Sequence, residues 1–582
     1  MEFVALALRG SEPHDGVFHV TRPFTALFFA LSAIATAPFA IAAPGTPTGH
    51  PQTLTAHRPP HAALHGSLPP AALVGNPATR LHRPYGGTPI DVTTYHYDNN
   101  RTGWNQTETD LTPASVASSS FGLLATLNVD GNVFAQPLLV SNFVMPDHTT
   151  HDVLIVATSN DTVYAYDAQT YAILWQVSLG TTQSSNDVGC SDSVPSYGIS
   201  ATPVIVRKSA NRATIYLVAA TEPTQYDFHT QLHALDLGTG ADTIAPVEVS
   251  PSATLSNGST LQFSAQNQWV RVSLAYNNGS IYVGAGSHCD NDSGSISGWL
   301  MRYDTKLVLR HAFHTIETQT PFELASIWMT GFAPAIDASG NVYVITGNGD
   351  YQHTDRDWGE SALRLPATLT KVADSFTEWH FRALTDRDQD FGSGGIMLLP
   401  TVAGQTAPPM AVAMGKSSLL FLLNQTNLGG VQKNNAGALQ AQDGGGGGLW
   451  GGPAYYDGPA GPTVFTQTDS DVLRGWALAT GATPSLTNTL TGTTGSGYGG
   501  SLPIVSSNGA TSGTGVVWLI RRSVPIELEA YNATTLGAPI YSVTAGNWSN
   551  TTDNNPFLTP MEANGRVYVP AYLTVEVFGL TP

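Results

Sequence analysis

The chain has 582 residues, of which only 12% are charged, and its formal net charge is −19. So few charges, together with 58 glycines and 38 prolines, argue against a helical bundle and favour many short strands joined by tight turns. The 24 Lys and Arg residues do not provide the clustered positive charge that nucleic-acid binding needs. We therefore expect a β-rich protein with no nucleic-acid partner.

The N-terminal segment predicts export. Residues 24–42 form an apolar run, FTALFFALSAIATAPFAIA, which ends in small residues that suit signal-peptide cleavage. We interpret residues 1–42 as a signal peptide; an uncleaved membrane anchor of similar length is the alternative, and membrane contact is expected only in that case. Residues 43–90 are rich in Pro and His and lack apolar periodicity, which predicts a disordered linker. The expected location is secreted or periplasmic.

From residue 91 onward the sequence repeats at intervals of roughly 50 to 70 residues. Each repeat opens with a short apolar strand, and further strands follow across hairpin turns such as Asn278-Gly279, Ser339-Gly340 and Asn564-Gly565. Four short strands in a repeat are typical of a propeller blade. The opening strands are AQPLLV (135–140), ATPVIV (201–206), VRVSLAY (270–276), GFAPAID (331–337), GGIMLLP (394–400), GGPAYYD (451–457), GSLPIVS (500–506) and FLTPMEA (557–563).

These openings predict that residues 91–582 form an all-β, eight-bladed β-propeller of four-stranded antiparallel blades. The last repeat ends without a fourth strand, whereas the strand-like segment 121–129 precedes the first repeat. We expect segment 121–129 to complete the last blade and close the ring, which leaves no open sheet edge. The repeat at 391–431 is the weakest, so seven blades with an irregular insertion is the alternative.

Several segments resemble a known superfamily. The lead-in YHYDNNRTGWNQTETDLTPASV (95–116) and the blade sequence VYAYDAQTYAILWQV (163–177) resemble exported bacterial proteins with pyrroloquinoline-quinone-type propeller repeats. The resemblance covers residues 95–580 and implies the fold. It does not imply one function, because that superfamily includes quinone-dependent alcohol and sugar dehydrogenases as well as non-catalytic scaffolds.

The resemblance also implies what a catalytic member would carry. Quinoprotein alcohol dehydrogenases have adjacent cysteines against the quinone, carboxylate and amide ligands for calcium, and an Asp base. This chain has only Cys190 and Cys289, and it lacks a CxxCH haem motif. We therefore expect a monomeric propeller that acts as a scaffold for a small molecule or an exported protein partner. The alternative is a dehydrogenase that uses pyrroloquinoline quinone and Ca²⁺ to oxidise an alcohol or sugar.

The two cysteines lie in similar contexts, GCSDS and HCDND. An even count in an exported protein permits a disulfide between Cys190 and Cys289, with two free thiols as the alternative. A disulfide would gather Asp-rich loops at one face, which suits a hard cation, although polar turns clamped by the bridge need no ion. The candidate metal ligands are Asp187, Asp192, Asp290 and Asp292.

Other polar residues lie where inner strands begin, or in later hairpins. Asp390 precedes Phe-Gly-Ser-Gly-Gly and is the candidate catalytic base, with a solvated turn as the alternative. A quinone would also need an aromatic platform such as Trp328 or Trp450, although tryptophans commonly pack between blades. A channel with a carboxylate, an amide and an arginine would favour the dehydrogenase, and an apolar channel the scaffold. The candidate cofactor-binding residues are Gln266, Gln268, Arg271, Lys416 and Arg521.

Overall fold

The computed structural model describes residues 84–193, 195–290, 296–318, 324–354, 356–548 and 557–581. The predicted signal peptide, residues 1–42, and most of the predicted linker lie outside these ranges. The described part begins at residue 84, and Tyr85 and Ile90 hydrogen-bond to Thr107 and Asn564. Within the described ranges no helix is long and apolar enough to cross a membrane.

The fold is an eight-bladed β-propeller of small antiparallel sheets, as the repeats predicted. We number the blades in chain order and give their strands from the centre outward. Blade 1 has Leu138–Val144, Thr150–Ala157, Thr162–Asp167 and Ile173–Ser178. Blade 2 has Val204–Ser209, Arg212–Thr221, His229–Asp236 and Val247–Glu248. Blade 3 has Gln268–Asn277, Ser280–Ser287, Trp299–Asp304 and Leu309–His314. Blade 4 has Ala335–Ile336, Val342–Ile345, Ser361–Leu365, Asp374–Thr377 and the short parallel strand Gly430–Val431.

The weakest repeat forms a regular blade, so the seven-blade alternative was wrong. Blade 5 has Ile396–Leu398, Met410–Met414, Leu419–Asn424 and Gln440–Asp443. Blade 6 has Ala454–Gly458, Gly461–Thr466, Val472–Ala479 and Ser485–Gly495. Blade 7 has Ile504–Ser506, Val516–Arg521, Glu527–Asn532 and Tyr541–Thr544, with Trp104–Asn105 parallel to its first strand. Blade 8 has Met561–Ala563, Arg566–Pro570, Tyr572–Leu580 and, as its outer strand, Phe121–Asn132.

Short elements connect the blades. The two-stranded ribbons are Gln183–Ser184 with Ser196–Tyr197, Ser252–Thr254 with Thr260–Gln262, and Tyr351–Gln352 with Asp357–Trp358. The α-helices are Pro113–Val116, Ser185–Val188 and Phe381–Thr385. The 3₁₀ helices are Met329–Gly331, Phe391–Ser393 and Lys433–Asn435.

Burial falls from the inner to the outer strands, and the sequence follows it. The middle strand Thr162–Asp167 (TVYAYD) is buried at every position, whereas the outer strand Ile173–Ser178 has no buried residue. Inner strands are covered on both faces by neighbouring blades, so their sequences are continuous apolar runs. Outer strands meet water and therefore tolerate Gln, Thr and Ser.

One segment before the first blade, residues 92–105, contacts the first strand of every blade; we call it the crossing segment. Its main-chain bonds to blades 1, 2, 4, 5, 6 and 7 join Val92 to Leu139, Thr93 to Ile205, Asn99 to Ile336, Asn100 to Leu398, Thr102 to Tyr455 and Gly103 to Val505. The Asn99 amide donates to Tyr276 O in blade 3, and the Tyr97 hydroxyl donates to Glu562 O in blade 8. A single peptide can reach eight different blades only across the centre of the ring.

Arg101 anchors the crossing segment. Its side chain is fully buried, and its guanidinium donates to the carbonyl oxygens of Pro334, Tyr95 and Asp98 at 2.8 to 3.0 Å. Burial lowers the pKa of Arg101 to about 10, so the side chain remains charged near neutral pH. The crossing segment bonds near the beginning of the first strand in blades 1, 2 and 6 and near its end in blades 3, 4 and 5.

Candidate functional site

The candidate site is a group of polar and aromatic side chains around Asp390, and its Arg522 lies near Tyr95 of the crossing segment. Trp328 and Asp390 come from positions before a first strand, and Asn348 and Lys416 from positions just after a second strand. Arg271 lies within the first strand of blade 3. Because these two strands are antiparallel, the start of the first and the end of the second meet at the same end of a blade.

The Asp390 carboxylate is the most connected group of the site and is almost fully buried. It accepts hydrogen bonds from Lys416 Nζ at 2.7 Å, from the backbone amide nitrogen of Asn348 at 2.9 Å and from Trp328 Nε1 at 3.4 Å. A Cβ at Gly347 would lie 2.2 Å from Asp390 Oδ1, so only glycine allows this approach. The structure therefore brings together the predicted base Asp390, the predicted cation Lys416 and the predicted platform Trp328.

Opposite charges keep Asp390 ionised. Burial alone would raise the pKa of Asp390, but the contact with Lys416 outweighs it and lowers the pKa below its usual value. Burial would likewise lower the pKa of Lys416, but Asp390 at 2.7 Å and Asp388 at 3.0 Å raise it. Near neutral pH the site therefore holds an ionised carboxylate that can accept a proton, beside a fixed ammonium.

Two buried arginines flank an aromatic ring in the same region. The guanidinium carbons of Arg271 and Arg522 lie 4.5 and 4.6 Å from the ring centroid of Phe557. Arg271 also lies 4.4 Å from the centroid of Trp269 and 5.4 Å from that of Trp328. Burial lowers the pKa of Arg271 to about 10 and that of Arg522 to about 9, so both remain cationic near neutral pH.

The hydrogen bonding of these cations is incomplete. Arg522 donates to the carbonyl oxygens of Trp450 and Tyr498. Arg271 is only 6% exposed, yet among the described residues its guanidinium has no hydrogen-bond or ion-pair partner. The Asn348 Oδ1 atom beside Asp390 is also buried without a partner in the described part of the chain. Burial of an unpaired polar group costs free energy. The Arg271 guanidinium and the Asn348 Oδ1 atom are therefore well suited to contact a ligand.

Cys190 and Cys289 form a disulfide, as the sequence permitted. The Tyr197 hydroxyl donates to Cys190 Sγ at 2.8 Å, and the Tyr197 ring packs edge-on against His288. The His288 ring in turn stacks on Trp269, which lies under Arg271. The disulfide therefore joins the loops that precede blade 2 and follow the second strand of blade 3, and it borders the arginine side of the site.

Of the predicted metal ligands, Asp192 lies near Arg271 and Asp290 lies near Asp390. Asp192 lies within 4.8 Å of both disulfide sulfurs, which are not thiolates and so cannot act as metal ligands. Asp187 accepts a hydrogen bond from Gln225 instead. Asp290 accepts one from Ser287 and lies close enough to Asp390 that burial and this neighbour raise its pKa to about 6. Asp292 lies outside the described residues.

Three predicted cofactor-binding residues have other contacts. Gln268 is buried, and its amide bonds the backbone of Ser264 and Ser297, whereas Gln266 is exposed. Arg521 pairs with Glu527 and Glu529 on the neighbouring strand of blade 7. Those bonds leave Gln268 and Arg521 little capacity for a ligand.

Sequence reasoning missed Asn348 and Phe557, and from the adjacent pair Arg521-Arg522 it selected Arg521, whereas the structure places Arg522 at the site. All three occupy positions equivalent to those of the residues that it did find, before a first strand or after a second strand. A systematic comparison of these two positions across the eight repeats would have selected them.

The fold defines the chain as an eight-bladed propeller. No protein family matches it, and no curated protein sequence does. Among solved structures it is similar to the quinohemoprotein alcohol dehydrogenase of Comamonas testosteroni, with 14% identity and a TM-score of 0.50 over 84% of this chain and 80% of that one. A europium-containing methanol dehydrogenase has 12% identity and a TM-score of 0.53 over 85% and 98%. The quinohemoprotein alcohol dehydrogenase ADHIIG of Pseudomonas putida HK5 has 11% identity and a TM-score of 0.51 over 84% and 80%. At such identities these similarities establish the fold alone.

Proposed function

We propose that the chain is a dehydrogenase that oxidises an alcohol or sugar with pyrroloquinoline quinone and a calcium ion. The observation that carries this proposal is the convergence of the buried Asp390, Asn348, Lys416 and Arg271 on one site with Trp328. A carboxylate, an amide and an arginine at one site are the features that favour an enzyme over a scaffold.

The residues present fit both groups. The quinone is a flat tricarboxylate, and Arg271, Arg522 and Lys416 offer three buried cations beside the aromatic faces of Trp328 and Phe557. A calcium ion needs several oxygen ligands. The unpartnered Asn348 Oδ1 atom and the Asp390 carboxylate would supply two of them, with Asp388 adjacent to both. The chain has no adjacent cysteine pair, and the Cys190–Cys289 disulfide borders this site instead.

Each residue then has a definite task. Pyrroloquinoline quinone supplies the two-electron oxidant that alcohol oxidation requires. Asp390, held ionised by Lys416, accepts the hydroxyl proton of the substrate. Trp328 fixes the carboxylate through Nε1, and Lys416 remains protonated as a fixed positive charge. Asn348 and Asp390 would hold a calcium ion, which would supply positive charge to the substrate oxygen.

We also propose that the protein is exported and reaches its substrate outside the cytoplasm. The Cys190–Cys289 disulfide supports this proposal, because structural disulfides persist mainly in oxidising compartments. Detection of the mature chain in a reducing cytosol, with both thiols free, would contradict it.

The proposal is tested by thermal unfolding with and without pyrroloquinoline quinone plus Ca²⁺, followed by a dye-linked assay on a panel of alcohols and sugars. A ligand at about 100 times its Kd stabilises the native state by about 2.7 kcal/mol, which gives a measurable rise in Tm. We expect a rise in Tm and turnover for the wild type. We expect Asp390→Asn to retain quinone binding and to lose about 1,000-fold or more in kcat.

Arg521 and Arg522 provide a matched control, since they are adjacent but contact different groups. We expect Arg522→Gln to reduce the quinone-dependent rise in Tm and Arg521→Gln to preserve it. No rise in Tm and no turnover for the wild type, or equal effects of the two substitutions, would contradict the proposed site. The first of these results would leave a propeller that binds something else.

A further inference from the structure

Three buried carboxylates, Asp390, Glu360 and Glu378, lie near one another, and the proposed chemistry uses only Asp390. Asp390, Glu360 and Glu378 are 3%, 0% and 2% exposed. Lys416 contacts Asp390 and Asp388, whereas among the described residues neither Glu360 nor Glu378 forms an ion pair. Buried carboxylates without a basic partner are rare and need a reason.

Glu360 points at the peptide group that follows Asp390. Its Oε2 atom accepts a hydrogen bond from the Phe391 amide nitrogen at 2.6 Å, and its Oε1 atom accepts one from Thr385 Oγ1 at 3.4 Å. The backbone of Glu360 has φ near 50° and is fixed by its own amide, which donates to Gly347 O at 2.9 Å. Glu360 therefore contacts Gly347, which packs against the Asp390 carboxylate, and Phe391, which follows Asp390 in the chain.

The surrounding charges favour a neutral Glu360. Burial raises the pKa of Glu360 well above its usual value, and the negative charges of Asp390 and Glu378 add to that effect. The Glu378 amide donates to Glu360 O, so the two acids occupy facing positions on neighbouring strands. An ionised Glu360 would repel the ionised Asp390, so the charge of Asp390 favours the protonated form of Glu360.

We propose that Glu360 is a positioning residue for Asp390: by accepting a hydrogen bond from the Phe391 amide it fixes the turn that presents the Asp390 carboxylate to Trp328 and Lys416. The inference depends on the proposed function only for its effect on turnover. The contact between Glu360 and the Phe391 amide is present in the protein without any ligand, so it can be tested without turnover.

The test uses the full chain labelled with 5-fluorotryptophan, in which the Trp328 resonance is assigned from Trp328→Phe. Because Trp328 Nε1 contacts Asp390 Oδ1, the ¹⁹F shift of Trp328 reports the position of the Asp390 carboxylate. Glu360→Gln keeps an acceptor oxygen for the Phe391 amide, so we expect its Trp328 shift to match the wild type. Glu360→Leu removes the acceptor, and we expect its Trp328 resonance to move.

Glu222→Gln is the matched control, since Glu222 is also buried and accepts backbone amides of Ser184 and Tyr226 away from Asp390. A wild-type Trp328 resonance in Glu360→Leu would overturn the positioning role, and so would a resonance displaced as far in Glu360→Gln as in Glu360→Leu. With quinone and Ca²⁺, we expect kcat/KM to fall about 100-fold in Glu360→Leu and to be retained in Glu360→Gln. An inactive wild type would refute the proposed function, but the ¹⁹F result would still decide this inference.

Discussion

Replacing Glu378 with Gln is expected to make the protein more stable at alkaline pH. Glu378 is 2% exposed and accepts a single side-chain hydrogen bond, from Ser417 Oγ at 3.0 Å. Burial raises the pKa of Glu378 from 4.5 to about 7. Glutamine retains the hydrogen-bond acceptor and cannot ionise, so the substitution isolates the effect of the charge.

The sign and size of the effect follow from proton linkage. Between pH 4.5 and about 7 the folded protein keeps a proton on Glu378 that the unfolded chain has already released, so the free energy of unfolding decreases as pH rises. Each pH unit is worth about 1.36 kcal/mol, which gives a total loss of about 3 kcal/mol. About 2.5 kcal/mol of this decrease in the free energy of unfolding falls between pH 5 and pH 8, and we expect it to be absent in Glu378→Gln.

The assay is urea unfolding of wild type and Glu378→Gln at pH 5, 6, 7 and 8, with Glu248→Gln as a control at an exposed acid. Near pH 5 we expect the two proteins to differ by less than about 1 kcal/mol. At pH 8 we expect Glu378→Gln to be more stable, while Glu248→Gln follows the wild type. Parallel pH dependences for wild type and Glu378→Gln would show that Glu378 titrates normally, and would refute the argument from burial.

Three further results are expected. Cys190→Ser opens a disulfide between residues 99 positions apart, and urea unfolding without reductant should reveal a loss of about 4 to 5 kcal/mol in the chain-entropy model; unchanged stability would mean that the bridge does not form. Arg101→Met removes the donor from the carbonyl oxygens of Pro334 and Tyr95, whereas Asp98 O keeps the backbone amide of residue 101, and the substitution should lower the free energy of unfolding by at least about 2 kcal/mol, unlike Arg310→Met at an exposed ion pair. Lys416→Gln removes the charge that lowers the pKa of Asp390, so the acid limb of the pH–rate profile of the loaded enzyme should move to higher pH; an unmoved limb would mean that Asp390 is not the base.

Much of the fold was predictable because its causes are local. Apolar openings and hairpin turns such as Asn278-Gly279 and Asn564-Gly565 define strands within a few residues of each other, and their recurrence favours eight blades. Even the placement of Phe121–Asn132 beside the last strand could be anticipated, because the last repeat lacks one strand.

The candidate site was predictable only in part. Asp390 and Lys416 lie at the blade ends where the repeat pattern places them, but the same pattern could not distinguish Arg521 from Arg522. Arg521 lies within a strand opposite Glu527 and pairs with it, whereas Arg522 follows the strand and turns toward Phe557. One residue of register reverses the direction of a side chain, and no local feature of the sequence reveals which residue is the last of the strand.

The sequence by itself determined the propeller class and the order of strands within a blade, and it favoured eight blades over seven. Only the tertiary structure decided the number of blades, the path of residues 92–105 across the centre of the ring and the approach of Asn348 and Glu360 to Asp390. It also decided that Arg271 is buried and, within the described part of the chain, has no hydrogen-bond or ion-pair partner. Strands and turns depend on neighbours along the chain, whereas the site is assembled from blades separated by tens to hundreds of residues. Its hydrogen bonds, burial and pKa values therefore exist only once the ring has formed.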